Sequence, residues 1–232
     1  SSYTDDLNII ILDEMNIARV EYYFAEMLSI LEMPRSEEWL IDIISNTWDN
    51  DPVLINEGKI HINDNTWFIG TINNDDSTFA VADKVYDRAV VIDLDSKAVA
   101  FEAPDTEPVH VRTEHLKELF AEAKEKYPMT DEVKDKLNEL DSYLIQHFRL
   151  AFGNRIMKQI RDFIPCFIAC GGTEIDAVDF IVAKKVFRKF ESLSLGFMKE
   201  ELHKFSLYLD RLFGKGKMPV CQEYIERLQK MS

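Results

Sequence analysis

The run Leu7-Asn8-Ile9-Ile10-Ile11-Leu12, followed at once by Asp13-Glu14-Met15-Asn16, is the most informative segment of this 232-residue chain. It is short, nearly continuously apolar, and β-branched at Ile9, Ile10 and Ile11. Such a run reads as a strand buried on both faces, the kind found in parallel sheets. A parallel strand delivers the residues after its end to the carboxyl edge of the sheet, where open α/β folds bind ligands. Two adjacent carboxylates there have a definite use. One can hold Mg²⁺, directly or through water, and the next can orient a water for attack on a γ-phosphate. A solvated turn after a strand would carry the same pair, so the neighbouring segments have to decide.

Working outward, Ile17 to Glu32 carries Val20, Phe24, Met27, Leu28 and Leu31 at helical spacing. After Pro34 the pattern predicts a second helical piece from Glu37 to Asn46. Val53-Leu54-Ile55 and Ile60-His61-Ile62 flank Asn56-Glu57-Gly58-Lys59, which reads as a hairpin with a glycine-containing turn. Thr66-Trp67-Phe68-Ile69-Gly70-Thr71 reads as a second buried strand. A short helix is expected between Phe79 and Asp87, and a third strand over Ala89-Val90-Val91-Ile92-Asp93-Leu94. This alternation indicates an α/β layer with a parallel sheet over residues 1–95.

Residues 96–112 contain Pro104 and Pro108, have no clear period and read as a linker. Residues 113–232 read as an all-α region. One helix face is marked by Val133, Leu137, Leu140, Leu144 and Phe148. Ile156, Ile160, Phe163, Ile164 and Phe167 mark a second, and Met198, Leu202, Phe205, Leu209 and Leu212 a third. The third face is expected to pack within the chain rather than on a partner helix. Gly171-Gly172 breaks the chain between helices and Thr173 is placed to cap the next. An amphipathic helix is expected from Pro219 to Met231.

Composition narrows the classes. The formal net charge is −15, so the bulk surface repels phosphates, which argues against direct nucleic-acid binding and against a membrane surface. No apolar run reaches the ~18–20 residues that span a bilayer, and Ser1 to Asp6 lacks the basic and apolar regions of a signal peptide. Cys166, Cys170 and Cys221 are an odd set, without a disulfide framework. Cys166 and Cys170 are expected in the core, and no histidine stands at metal-ligand spacing from them. These features fit a cytoplasmic location.

Two further residues carry chemistry. The second strand ends in Gly70-Thr71-Ile72-Asn73. An Asn at the tip of a neighbouring strand can bond both an attacking water and a γ-phosphate; a polar loop is the ordinary alternative. Asp87-Arg88-Ala89 leads into the expected third strand. An arginine there can act as a surface salt-bridge residue or reach a neighbouring subunit's phosphate, a contact that contributes ~10³–10⁵ in rate.

Taken in order, these segments resemble the AAA+ ATPase family, more closely its McrB-like branch. The resemblance is carried by Ile9-Ile10-Ile11-Leu12-Asp13-Glu14-Met15-Asn16, Phe68-Ile69-Gly70-Thr71-Ile72-Asn73 and Asp83-Lys84-Val85-Tyr86-Asp87-Arg88-Ala89. Phe152-Gly153-Asn154-Arg155-Ile156 is similar to the sensor 2 segment of the lid, and Ala177 to Phe187 to the lid helix that follows. The resemblance implies a partial parallel-sheet AAA+ core over 1–95 and a helical lid over 113–232. It implies Asp13 as the Walker B residue supporting Mg²⁺ and Glu14 as the catalytic carboxylate. Asn73 would be sensor 1, Arg88 an arginine finger and Arg155 sensor 2, with Lys84 a further candidate at the subunit edge. Asp13, Glu14, Asn73 and Arg155 would contact nucleotide or its metal. The hairpin at 53–62 is similar to the one that faces the ring pore in this branch.

The pattern departs from the family in one large respect. A P-loop needs a glycine-rich turn followed by Lys and Ser or Thr, and none occurs here. Gly214-Lys215-Gly216-Lys217 lacks the Ser or Thr and reads as a turn between helices. The expectation is therefore the C-terminal part of a longer AAA+ protein, a homo-oligomeric ring that remodels a partner, with an accessory subunit admissible. Its own N-terminal portion would be its first partner. By itself this chain is expected to hold no nucleotide tightly and to be inactive. The GTP-using relative carries Arg in the loop after sensor 1, where this chain has Ser77, so ATP is the expected nucleotide. A degenerate AAA+ scaffold that assembles without hydrolysis is the alternative.

Overall fold

The computed structural model describes residues 5–33, 38–46, 48, 50–73, 77–94, 99–107, 110–193, 196 and 198–231. The chain is α/β, with a small parallel sheet and a helical C-terminal region. It folds as two units, Ser1–Leu116 and Lys117–Ser232.

The first unit runs β1 (Asn8–Leu12), a 3-10 turn (Met15–Ile17), α1 (Val20–Tyr23), α2 (Ala25–Ile30), β2 (Leu40–Asp42), β3 (Ile55–Asn56), β4 (Lys59–His61), β5 (Thr66–Gly70) and α3 (Asp83–Tyr86). α4 (Thr113–Lys126) crosses the boundary between the units. β1 and β5 pair in parallel, Asn8 opposite Thr66 and Leu12 opposite Gly70. Parallel pairing needs a long crossover, and α1, α2 and the second sheet are built into it. That sheet has the order β2-β4-β3 and is antiparallel. Glu57 (φ 51) and Gly58 (φ 78) form its hairpin turn. Two successive left-handed residues match the twist of the flanking strands. A Cβ at Gly58 would lie 2.2 Å from the Ile44 carbonyl oxygen, so only glycine fits.

Four expectations for this unit are corrected. Residues 40–42 form β2 rather than a helix, because Leu40 and Ile41 find a ladder on His61 and Ile60, and a pairing edge overrides a short helical pattern. Glu37 lies outside the described residues. Residues 89–94 form no strand among the described residues: no ladder forms there, and Leu94 is 90% exposed. β1 is not buried on both faces; Ile11 is 66% and Ile10 41% exposed because, among the described residues, no layer fully covers either face of the parallel pair. The long helix from residue 17 is broken at Phe24, which leaves helical geometry (φ −107). There its ring meets Phe68 edge-on at 5.4 Å, joining the helices to β5. Val20, Leu28 and Val85 form the buried centre with Met15, Phe24 and Val81 against it. Residues 99–107 are exposed and irregular, while Leu7 N–H donates to the Val111 carbonyl and Thr113 N–H to that of Asp5.

The second unit contains α5 (Asp131–Phe148), α6 (Gly153–Ala169), α7 (Glu174–Lys185), a 3-10 segment (Phe187–Ser192), α8 (Lys199–Phe213) and α9 (Pro219–Met231). The periodic faces of α5, α6 and α8 meet in one core through Leu137, Leu140, Leu144, Ile160, Ile164, Leu202, Phe205 and Leu209. Thr173 caps α7 by accepting from Asp176 N–H. Gly214 and Gly216 supply the positive φ of the α8–α9 turn. The three cysteines are free. Cys221 is buried and Cys166 half-buried, but Cys170 is exposed, a correction: it stands at the end of α6, beyond the apolar face. Among the described residues no helix is long and apolar enough to cross a membrane.

Asp179 on α7 is 2% exposed. Its two oxygens accept the N–H groups of Val220 and Cys221, each at 2.8 Å. These are orphan donors at the start of α9, so Asp179 caps a helix other than its own. Burial raises its pKa above the ordinary 3.8. Asp179→Ala strands both donors and should cost about 1–3 kcal/mol at pH 7. With the folded pKa raised, this carboxyl's titration favours the fold below about pH 3.8 and less so as pH rises through the folded value. The wild-type advantage over Asp179→Ala should therefore shrink between mild acid and neutrality. Urea melts of both proteins from pH 4 to 7 check this; an advantage that grows with pH contradicts it.

Candidate functional site

Because Leu12 lies opposite Gly70, the chain leaves β1 and β5 side by side at the same carboxyl edge. Asp13 and Glu14 turn away from β1, and Glu14 adopts the left-handed conformation (φ 49, ψ 43). A non-glycine residue there is strained, and such strain collects at functional sites.

The turn is held by Thr71, the first residue after β5. Thr71 N–H donates to the Leu12 carbonyl at 3.0 Å, and its carbonyl accepts Met15 N–H at 2.9 Å. Its hydroxyl donates to Asp13 Oδ1 at 2.6 Å and accepts Glu14 N–H at 2.7 Å. At Gly70 a Cβ would meet Met15 Sδ at 2.1 Å, so the Met15 side chain packs directly over the tip of β5 and a larger residue there would displace it.

Asn16 makes the second link and is 3% exposed. Its Nδ2 donates to the carbonyls of Asn73 (2.7 Å) and Phe79 (3.1 Å), and its Oδ1 accepts Asn73 N–H at 3.2 Å. The Thr78 hydroxyl also donates to the Asn73 carbonyl, at 2.8 Å. The Asn73 backbone is thus fixed to the acidic turn while its side chain stays exposed. Tyr23 donates its hydroxyl to the Met15 carbonyl at 2.9 Å, and burial pushes its pKa up.

Asp13, Glu14 and Asn73 therefore stand on two adjacent strand ends, joined by hydrogen bonds. Arg88 is turned inward. Its Nε donates to the Leu28 carbonyl at 2.8 Å, one terminal nitrogen to the Lys84 carbonyl at 2.5 Å, and the other pairs with Glu32. Lys84 Nζ donates to the Glu21 carbonyl at 3.1 Å. Arg155 is exposed in the first turn of α6, in the second unit. Thr71 and Asn16 carry no role in the sequence reading. The signal for Thr71 is a hydroxyl immediately after the end of β5; for Asn16 it is an amide two residues after Asp13-Glu14, in the 3-10 turn.

Among the described residues no group of three or more His, Cys, Asp or Glu could hold a metal. The donors at this edge are two carboxylates. That set fits Mg²⁺, which keeps several waters and takes one or two carboxylates plus substrate phosphates, and does not fit a closed protein cage. No protein-family model, curated protein or solved structure matches this chain, and what this edge can do is read from its own geometry.

Proposed function

We propose that this chain is the sensor-and-lid portion of an AAA+ ATPase of the McrB-like branch, whose parent protein hydrolyses Mg²⁺·ATP as a homo-oligomeric ring that remodels a partner. The observation that carries the reading is the parallel pairing of β1 with β5, which sets Asp13, Glu14 and the Asn73 strand end on one edge. Asp13 would hold Mg²⁺ through water, and the ion would supply charge neutralisation at the phosphates. Glu14, exposed and unencumbered by Thr71 except at its backbone, orients the attacking water. Asn73 bonds that water and the γ-phosphate. Arg155, exposed in the first turn of α6, keeps the sensor 2 role that the family resemblance implies for it. The apolar side chains of Ile9, Ile10, Ile11, Trp67 and Ile69 are exposed, which supports a further layer contributed by the P-loop portion.

A second reading, a scaffold that assembles without hydrolysis, is favoured by one contact. Arg88 uses its donors on Glu32, Leu28 and Lys84 within the first unit; a finger must reach a neighbour. Turnover separates the two. Mg²⁺·ATP hydrolysis is measured for this chain and for the parent polypeptide with its upstream P-loop portion. The parent alone is expected to hydrolyse ATP. Inactivity of both transfers the case to the scaffold, and Glu14-dependent turnover by this chain alone refutes the need for a P-loop portion.

A further inference from the structure

We propose that Thr71 is the positioning residue of the acidic turn, a role that rests on the functional reading above. Its two backbone bonds to Leu12 and Met15 could be made by any residue except proline at the N–H. The hydroxyl is different. One oxygen accepts Glu14 N–H at 2.7 Å and gives its single proton to Asp13 Oδ1 at 2.6 Å. Both acidic residues are thereby set by one side chain from the neighbouring strand.

Two consequences follow for the chemistry. First, Asp13 Oδ1 is turned toward β5 and already accepts a bond, which fixes the plane of the carboxylate and leaves Oδ2 for a metal-bound water. Groups that orient metal-binding carboxylates in this way change metal affinity or activity by ~10–100-fold when removed. Second, the bond to Glu14 N–H steadies the left-handed backbone (φ 49) from which the Glu14 carboxylate projects. Thr71 touches neither nucleotide nor water; it acts through Asp13 and Glu14.

The test uses the parent polypeptide with Thr71→Val, which keeps the shape and removes the hydroxyl, and Thr71→Ser, which keeps the hydroxyl. ATP turnover is followed against Mg²⁺ and against ATP, with thermal melting alongside. Thr71→Val is expected to lower kcat by ~10–100-fold and raise the Mg²⁺ concentration for half-maximal rate by about 10-fold. The KM for ATP should stay within about 3-fold, and Thr71→Ser should restore both quantities to within about 3-fold of wild type. Three results overturn the proposal: wild-type kcat and Mg²⁺ dependence in Thr71→Val; a Thr71→Ser protein as impaired as Thr71→Val; or lost activity with a lowered melting temperature and an unchanged Mg²⁺ dependence. A wild-type parent without turnover overturns the ATPase reading itself, and the role of Thr71 with it.

Discussion

Replacing Glu14 by Gln in the parent polypeptide is expected to lower the rate of ATP hydrolysis by about 10²–10⁴-fold while ATP still binds. The size of the effect follows from what the substitution removes. Gln keeps the length of the side chain and the backbone N–H that Thr71 accepts at 2.7 Å, so the strained turn is retained. It loses the negative charge and basicity that the proposed function assigns to orienting and polarising the attacking water. Asp13 and the Asn73 strand end, tied through Thr71 and Asn16, are untouched. The variant should therefore accumulate bound ATP, detectable by filter binding with labelled nucleotide alongside steady-state turnover. Wild-type turnover by Glu14→Gln would remove Glu14 from the reaction.

Phe205→Ala is expected to destabilise the second unit by about 3–5 kcal/mol. Phe205 is fully buried. Its ring centroid lies 5.6 Å from Tyr143, 5.4 Å from Phe148, 5.2 Å from Phe187 and 5.8 Å from Phe190. Tyr143 and Phe148 come from α5, and Phe187 and Phe190 from the 3-10 segment after α7, so truncating this ring on α8 opens a cavity that all three elements would have to collapse to fill. A loss of this size lowers the melting temperature by roughly 4–8 °C per kcal/mol in a unit of about 100 residues. Leu207 lies on the same helix but is exposed, and Leu207→Ala should cost less than about 0.5 kcal/mol. Urea unfolding of the three proteins decides the matter. Equal midpoints for Phe205→Ala and wild type would mean that α8 does not pack as described.

Legibility differs between the halves for a physical reason. The faces of α5, α6 and α8, the Thr173 cap and the α8–α9 turn are read from the sequence because each is encoded within a few neighbouring residues, by a helical period, a capping hydroxyl or a pair of glycines. β1 and β5 are legible for the same reason: each is one short apolar run bounded by polar residues. That Asp13, Glu14 and Asn73 come just after strand ends is equally legible, since each lies within three residues of the end of β1 or β5. What holds them together is not legible. The Thr71–Asp13 bond joins residues 58 apart, and the Asn16–Asn73 bond residues 57 apart.

Strand pairing divides the same way. Residues 40–42 and 89–94 both contain apolar runs, yet only the first becomes a strand, because the β3–β4 hairpin offers it an edge. A run of Val and Ile states a preference, and a partner is required to satisfy its backbone groups. The sequence by itself determined which segments are strands in waiting, which helix faces are apolar and which residues end the two parallel strands. Only the tertiary structure decided which waiting strands pair, that Asp179 caps a helix some 41 residues away, that Arg88 turns inward to Glu32, and that Thr71 and Asn16 lock the acidic turn to its neighbour. Local patterns are settled by the nearest residues along the chain; hydrogen bonds across the fold are settled by which segments meet.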